Sequence, residues 1–349
     1  MHIQKNISLK PYNTFGINVN SKRFTEITNS VDFSELVKTE KEFFLLGGGS
    51  NLLLTKDIEK LVVKINTKGK ELVNSTDTSV FVKVQAGEVW HEFVLWCVAH
   101  NYGGVENLSL IPGNVGTTPI QNIGAYGIEV KDTIYEVEAL EIKSNSFKTF
   151  SNADCNFDYR NSVFKNEYKG KYIITSVTFQ LTKNKHNLNS SYGAIKSELE
   201  KQGIKNPTLK NISDTVIAIR QSKLPNPKEL GNSGSFFKNP ILSKKEFDTF
   251  QKKHPKAPFY EVTISSRDKS QTSNLSPLTS YKVPAGWLVE QCGFKGKRFG
   301  NTGAHKNQAL VLVNYGNATG NEIHNLSKKI QKEVLNTFGI AIEAEVNIL

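Results

Sequence analysis

Hydrophobic and polar positions change period several times along the chain, and each change marks an element. Residues 43–46, Phe-Phe-Leu-Leu, make a short apolar run of the kind a buried strand needs, and Leu52-Leu53-Leu54 make another just beyond a run of glycines. Residues 81–86 alternate as a half-buried strand does. From 88 to 101 the spacing becomes helical, with Trp90, Phe93, Val94, Cys97 and Val98 recurring at one face. Residues 135–142 and 171–181, rich in Val, Ile, Thr and aromatics, predict two longer strands. The polar stretch 183–191 predicts an exposed excursion. Residues 213–222 predict a helix, stopped by Leu224-Pro225-Asn226-Pro227, which reads as a domain boundary.

Capping signals place two helices in the last third. Ser243 stands three residues before Glu246, and Thr319 three before Glu322, each pair ahead of an apolar periodic run. Gly339 supplies a stop for the second. Residues 340–349 then alternate strictly and predict a terminal strand. Ile340, Ile342, Ala344, Val346 and Ile348 share one face, so Glu343 and Glu345 share the other.

Composition narrows the class. A chain of 349 residues suits more than one core, and 38% hydrophobic with 22% charged residues speaks against wholesale disorder. No apolar run approaches the roughly 18 residues a membrane span needs. The opening residues lack the apolar core of a signal peptide. Cys97, Cys155 and Cys292 are scattered and form no CxxC pair, which suggests thiols in a reducing compartment, hence the cytoplasm, and no metal cage. The net charge of +11 invites a nucleic-acid partner. The excess is lysine spread between acids, however, with no arginine-rich run, so a solvated surface with no nucleic-acid or membrane partner is the expectation. Arginine occurs only at positions 23, 160, 220, 267 and 298, which suits sites needing a planar bidentate donor.

Two glycine loops carry the chemistry. Gly47, Gly48, Gly49, Ser50 and Asn51 lie between apolar runs, as a tight turn between two buried strands would. Successive N–H groups in such a turn can form an anion nest suited to a diphosphate. It is not a Rossmann fingerprint, because position 52 is Leu and a strand follows, and no Lys-Ser/Thr pair makes it a P-loop. The second loop, residues 111–127, is long and rich in Gly, Thr, Asn and Pro. Its uncharged hydrogen-bonding groups suit a flavin ring and ribityl chain.

With these loops the sequence resembles the UDP-N-acetylenolpyruvoylglucosamine reductases (UDP-N-acetylmuramate dehydrogenases), flavoenzymes of peptidoglycan precursor synthesis. The resemblance runs over nearly the whole chain. It is carried by Pro11-Tyr-Asn-Thr-Phe-Gly-Ile17, Leu46-Gly-Gly-Gly-Ser-Asn51, the loop 111–127 and Tyr159-Arg-Asn-Ser-Val-Phe-Lys165. It continues through Gly231-Asn-Ser-Gly-Ser-Phe-Phe-Lys-Asn-Pro240, Ala285-Gly-Trp-Leu-Val-Glu-Gln-Cys292, His305-Lys-Asn-Gln-Ala-Leu310 and Glu343-Ala-Glu-Val346. Ser191-Tyr192-Gly193 resembles the tyrosine-bearing substrate loop of one class of the family. The fold implied is α+β, a two-part FAD-binding domain of the vanillyl-alcohol-oxidase (PCMH) type plus a smaller α+β substrate-binding domain. The expected divisions are 1–66 and 67–222 for FAD, with the substrate loop near 185–195, then 223–338 for substrate, and 339–349 as a terminal strand.

The activity implied is reduction of UDP-N-acetylglucosamine enolpyruvate by NADPH through non-covalent FAD, in a monomer. Hydride reaches the enolpyruvyl β-carbon from the reduced flavin, and a proton follows. The resemblance makes Arg160 the charge stabiliser, Ser235 the proton donor and Glu345 an acidic partner. Residue type alone leaves Arg160 a possible salt bridge, Ser235 a turn hydroxyl and Glu343 as eligible as Glu345. Ser235 needs a polarising neighbour, which Lys238 or water could provide. Cofactor contacts are expected from the residues of the 47–51 turn and from Ile111, Pro112, Thr118, Gln121 and Gly124. Nucleotide contacts are expected from Tyr192, Arg220, Lys223, Asn239 and Gln308. Two positions depart from the family pattern: Asn347 replaces an arginine after Glu-Val, removing a positive charge, and Asn161 replaces an aspartate. Two other readings stay open from residues alone. One is an oxidase of the same fold holding covalent flavin through His91, Cys97 or His100; the other is a basic nucleic-acid-binding protein.

Overall fold

The computed structural model describes residues 1–264 and 278–349. Arg267 falls outside the described residues. The chain divides into two compact units. The first comprises Met1–Tyr12, Val19–Ser50 and Asp57–Ser222; the second comprises Asn13–Asn18, Asn51–Lys56 and Lys223–Leu349.

The first unit is built on two sheets. Its four-stranded sheet runs, in spatial order, Gln4–Ser8, Asn20–Ile27, Ile58–Ile65 and Phe43–Leu46, with one antiparallel and two parallel pairings. The helix Val31–Thr39 buries Phe33 and Leu36 with Ile27, Leu61 and Val63. The second sheet is antiparallel, in the order Ser146–Ser151, Ile134–Glu141, Tyr172–Thr182, Ser79–Gln85 and Lys70–Ser75. The helix Trp90–Ala99 seals one face of this sheet. Trp90, Phe93, Val94 and Cys97 pack on Val80, Val82, Val84 and Phe179, and Trp90 stands 5.8 Å from Phe179 between ring centroids. Tyr172–Thr182 is the central strand and is covered on both faces. Ile173 joins the core under the first sheet, whereas Ile174 and Val177 join the core under the helix. Nearly every residue from Ile173 to Leu181 is therefore buried, including Thr175, Ser176 and Thr178, although the sequence itself mixes apolar and hydroxyl side chains.

The helix expected at 213–222 begins earlier and spans Leu209–Lys223. Its first turn, Leu-Lys-Asn, carries little apolar signal. It is entered through Thr208, whose N–H and hydroxyl donate to Asn211 Oδ1 at 3.0 and 2.8 Å. Ile212, Val216 and Ile219 pack on Ile195 and Leu199 of the helix Gly193–Lys201. The polar excursion is tied down at several points, beginning where Asn184 Nδ2 donates to Asp77 O at 2.8 Å. Thr182 Oγ1 lies 2.7 Å from His186 Nδ1, and Asn107 Nδ2 donates to the Asn189 carbonyl at 2.9 Å.

In the second unit a four-stranded antiparallel sheet runs Gly231–Ser235, Val311–Asn314, Thr302–Ala304 and Arg298–Phe299. A three-stranded sheet joins Ile241–Leu242, Leu278–Lys282 and Tyr260–Ile264. Both expected capping boxes form, ahead of the helices Lys244–Lys253 and Gly320–Phe338, and Gly339 ends the latter at φ 67°. Hydrogen bonds from Ser243, through its hydroxyl and then its backbone, hold the Glu246 carboxyl below the usual range; Thr319 does the same for Glu322, its backbone first. These caps therefore contribute fully above the ordinary glutamate pKa and lose that contribution as pH falls through the depressed one.

Two short early segments are bonded into this unit. Asn232 N–H donates to Thr14 O at 3.0 Å, and Asn314 Nδ2 donates to Phe15 O at 2.9 Å. Gly320 sits against Leu54, so a Cβ there would lie 1.9 Å from the Leu54 carbonyl oxygen.

One expectation needs correction. The residues 340–349 form a strand only at Asn347–Ile348, parallel to Leu52–Leu53. Burial still alternates as the sequence implies, but no single neighbour runs alongside. Lys238 N–H donates to Glu343 O and Glu345 N–H to Phe236 O, after which Leu349 N–H turns to Leu53 O. A change of partner midway breaks the ladder. The glycine turn does lie between two strands, Phe43–Leu46 and Leu52–Leu53, and these belong to different sheets.

The close approach at Gly320 yields a test. Gly320→Ala drives a methyl into backbone that cannot swing aside, and should lower unfolding stability by about 1–3 kcal/mol, the usual cost of overpacking. An unchanged midpoint in urea would mean that the segment 51–56 is not held as described.

Candidate active site

The first unit presses its two glycine loops together. A Cβ on Gly47 would stand 2.6 Å from Thr117 Cγ2, and one on Gly48 would stand 2.7 Å from both Asn114 Oδ1 and Gly113 Cα. Gly49 holds φ 61°, the left-handed region that completes a nest-like turn. The second loop is tied to the sheet behind it. Asn114 Nδ2 donates to Gly87 O at 2.7 Å, Val115 N–H to Glu88 O at 2.9 Å and Gly116 N–H to Ala86 O at 2.9 Å. Beside these loops lies a cavity of about 520 Å³, whose lining includes Gly47, Gly116, Thr117, Phe43, Tyr168 and Tyr172. Its size lies in the range of small-molecule and cofactor sites, and its apolar and aromatic walls with a glycine floor fit a dinucleotide such as FAD.

Ile111, Pro112, Gln121 and Gly124 line the course of this loop, and all but the exposed Pro112 are half-buried. Thr118 is buried, its hydroxyl donating to Val115 O at 2.8 Å. The loop closes in a small hairpin of Gly124–Ala125 against Ile128–Glu129. Around that hairpin the structure gathers three of the expected residues. Arg160 lies at the tip of a turn closed by Asp158 and Asn161, whose backbones exchange hydrogen bonds at 3.0 Å. It adopts φ 52°, an uncommon conformation for a non-glycine residue, and its guanidinium donates to Asn122 O at 3.2 Å and to Gly124 O. Glu129 Oε1 lies 3.9 Å from it. Asn161, the departure from the family pattern, accepts from Asn166 Nδ2 at 2.8 Å through Oδ1.

Tyr192 caps the start of the helix Gly193–Lys201, is 41% exposed, and meets Tyr126 of the hairpin edge-on at 5.6 Å. Tyr126 also hydrogen-bonds Arg220, while burial raises its own hydroxyl pKa. Arg220 Nε is sealed from solvent with no hydrogen-bond partner among the described residues. Lys223 is exposed at the end of the same helix.

The second unit gathers the other candidates. Ser235 is exposed at the end of a bulged strand, two residues before the buried Phe237. Asn239 Oδ1 accepts from Ala285 N–H at 2.9 Å, and Gln308 Oε1 would stand 3.2 Å from a Cβ on Gly286, so both frame the start of the helix Ala285–Gln291. Glu343 and Glu345, equivalent by spacing, separate here. Glu343 is 79% exposed and lies 3.5 Å from Lys238, whereas Glu345 is half-buried. Its backbone is bonded to Phe236 O at 2.8 Å and to Asn51 Nδ2 at 3.3 Å. Lys238 thus reaches Glu343. Asn347 donates from Nδ2 to Asn51 O at 3.0 Å, binding backbone where the family pattern has a charge.

The residues considered as covalent flavin anchors have other roles. Cys97 is buried in the core, and burial pushes its thiol well above the usual range. His100 Nδ1 lies 2.8 Å from Trp96 O. His91 Nδ1 accepts the Leu110 N–H at 2.9 Å, which holds the mouth of the long loop where Leu110 takes φ 59°. Burial and the charge of Arg220 lower its pKa, in keeping with a neutral ring. Sequence reasoning passed over Tyr126 and Asn114, and it considered His91 only as a covalent anchor. Their only sequence signal is membership of, or helical proximity to, the long loop.

Comparison with known proteins agrees with this geometry. Residues 31–144 match the family description "FAD binding domain" and residues 226–349 match "UDP-N-acetylenolpyruvoylglucosamine reductase, C-terminal domain". A UDP-N-acetylenolpyruvoylglucosamine reductase of Flavobacterium johnsoniae is 59% identical over 100% of both chains. The protein of the same name from Bdellovibrio bacteriovorus is 44% identical over 99% of both. The crystal structure of the Thermus caldophilus reductase covers 100% of this chain and 99% of its own at TM-score 0.68 and 20% identity, a likeness of fold. Among the described residues no helix is long and apolar enough to cross a membrane. A full-length relative at this identity, an FAD-binding domain and a matching C-terminal domain together place the chain in the UDP-N-acetylenolpyruvoylglucosamine reductase family of FAD oxidoreductases.

Proposed function

We propose that the protein reduces UDP-N-acetylglucosamine enolpyruvate to UDP-N-acetylmuramate at the expense of NADPH, a step of peptidoglycan precursor synthesis. The observation that carries this reading is the 59% identity, end to end, to the Flavobacterium johnsoniae reductase. FAD, when bound, supplies hydride transfer between NADPH and the enolpyruvyl double bond.

The chain's own groups supply placement, charge and a proton. Addition of hydride to the β-carbon leaves negative charge on the neighbouring carbon and its carboxylate. Arg160 is the group that stabilises that charge, since a guanidinium already aimed by two backbone carbonyls loses little freedom when it binds. Ser235 Oγ delivers the proton. Its polarising neighbour is Lys238 or an ordered water. Glu345, half-buried and clamped through its backbone, acts as the acidic partner. Arg220 and Lys223 are the cations offered to the diphosphate of the nucleotide. Asn239 and Gln308 offer amide groups to uracil, and Tyr192 closes over the nucleotide and excludes water.

Three outcomes test the reading. The purified protein should be yellow and release one FAD per chain on acid or heat treatment without covalent attachment; a colourless chain that takes up no FAD overturns it. Ser235→Ala should bleach normally with NADPH in anaerobic stopped flow. Reoxidation by the enolpyruvyl nucleotide should slow by about 10²–10⁴, the usual worth of a positioned proton donor. Equal slowing of both halves would mean that the serine only shapes the site. Tyr192→Phe should raise KM for the nucleotide by up to about 10–100-fold, one hydrogen bond to a charged group, and spare reduction by NADPH. An unchanged nucleotide KM makes Tyr192 an ordinary surface residue.

A further inference from the structure

Lys64 stands near the end of the strand Ile58–Ile65 and pairs across the sheet with Leu46, the residue before the glycine turn. Its Nζ donates to the carbonyl oxygen of Gly47. Lys64 is half-buried, and that burial lowers its pKa. The nearest acid acting on it, Glu26, accepts a hydrogen bond from Asn66 Nδ2 at 2.6 Å. Withdrawing an ammonium from water onto a neutral carbonyl costs free energy that one hydrogen bond offsets only in part.

Every described peptide bond is trans. A trans peptide points its C=O and its N–H to opposite sides. With the Gly47 carbonyl held by Lys64, the Gly48 N–H must face away from Lys64, and Gly49 at φ 61° continues the turn. Without Cβ atoms, residues 47 and 48 would otherwise be free to rotate that peptide plane. Lys64 does not line the cavity, so it acts through the backbone.

We propose that Lys64 is a positioning residue for the anion nest of residues 47–50, holding the Gly47 carbonyl so that the Gly48 N–H is presented to the diphosphate of FAD. The proposal rests on the reading of this turn as the site of the cofactor's diphosphate. It assigns to a strand residue outside both glycine loops the task of fixing one peptide plane.

The experiment is an FAD titration of the full-length apoprotein by flavin fluorescence, beside thermal unfolding of each apoprotein. Lys64→Met keeps the stem and removes the donor. Its FAD dissociation constant should rise about 10–100-fold, the worth of one charge-assisted hydrogen bond, while its apoprotein midpoint stays unchanged or rises because a desolvated ammonium is gone. Lys64→Arg restores a donor and should recover most of the affinity. Wild-type affinity in Lys64→Met overturns the proposal. So does loss of affinity with a matching fall in the apoprotein midpoint, which would make Lys64 a strut of the strand. If the wild-type chain itself takes up no FAD, the cofactor reading has failed and the proposal falls with it.

Discussion

The constraint on which the first unit depends is the absence of side chains where its two glycine loops meet. Gly47 and Gly48 bring backbone to within van der Waals contact of Gly113, Asn114 and Thr117, and a single methyl on either would separate the loops. That contact sets the floor of the cavity. It also ties the mixed sheet, whose strand Phe43–Leu46 runs into the first loop, to the antiparallel sheet, which holds the second through Ala86, Gly87 and Glu88. Backbone that approaches so closely can offer N–H groups to a ligand with nothing in the way, which is what an anionic dinucleotide requires.

From that floor the long loop extends to a small hairpin that organises the charged groups of the unit. Arg160 is held by the carbonyls of Asn122 and Gly124, while Tyr126 touches both Tyr192 and Arg220. One loop therefore serves two purposes, packing against the glycine turn at one end and placing cations at the other. The cost is visible as positive φ at Leu110, Asn122, Tyr126 and Arg160. Such conformations persist where the surroundings over-determine them, and they cluster at binding sites.

The second unit shows the same economy with its termini. Residues 13–18 and 51–56 are bonded into a body built otherwise from 223–349, and the last residues are shared between Phe236, Asn51 and Leu53. This sharing places Glu345 in a half-buried position and leaves Glu343 outside with Lys238.

Much of this was legible in the sequence. Period alone located the strands at 81–86, 135–142 and 171–181 and the helix after Glu88, and both capping boxes formed, because these signals depend on neighbours within a few residues. The family, and with it the FAD chemistry, was legible because glycine turns and an arginine turn are written in contiguous residues. The tertiary structure alone decided what depends on distant partners. The terminal alternation could not say that its strand would change partners midway, nor the 47–51 turn that its flanking strands would join different sheets. Glu343 and Glu345 are the same residue type at the same period, so period cannot separate them; the family pattern points to Glu345, and only the structure shows its backbone held by Phe236 and Asn51 while Glu343 stays exposed. Lys64 carries no local mark at all. Its importance arises from the Gly47 carbonyl across the sheet, a contact that exists only once parallel strands have paired.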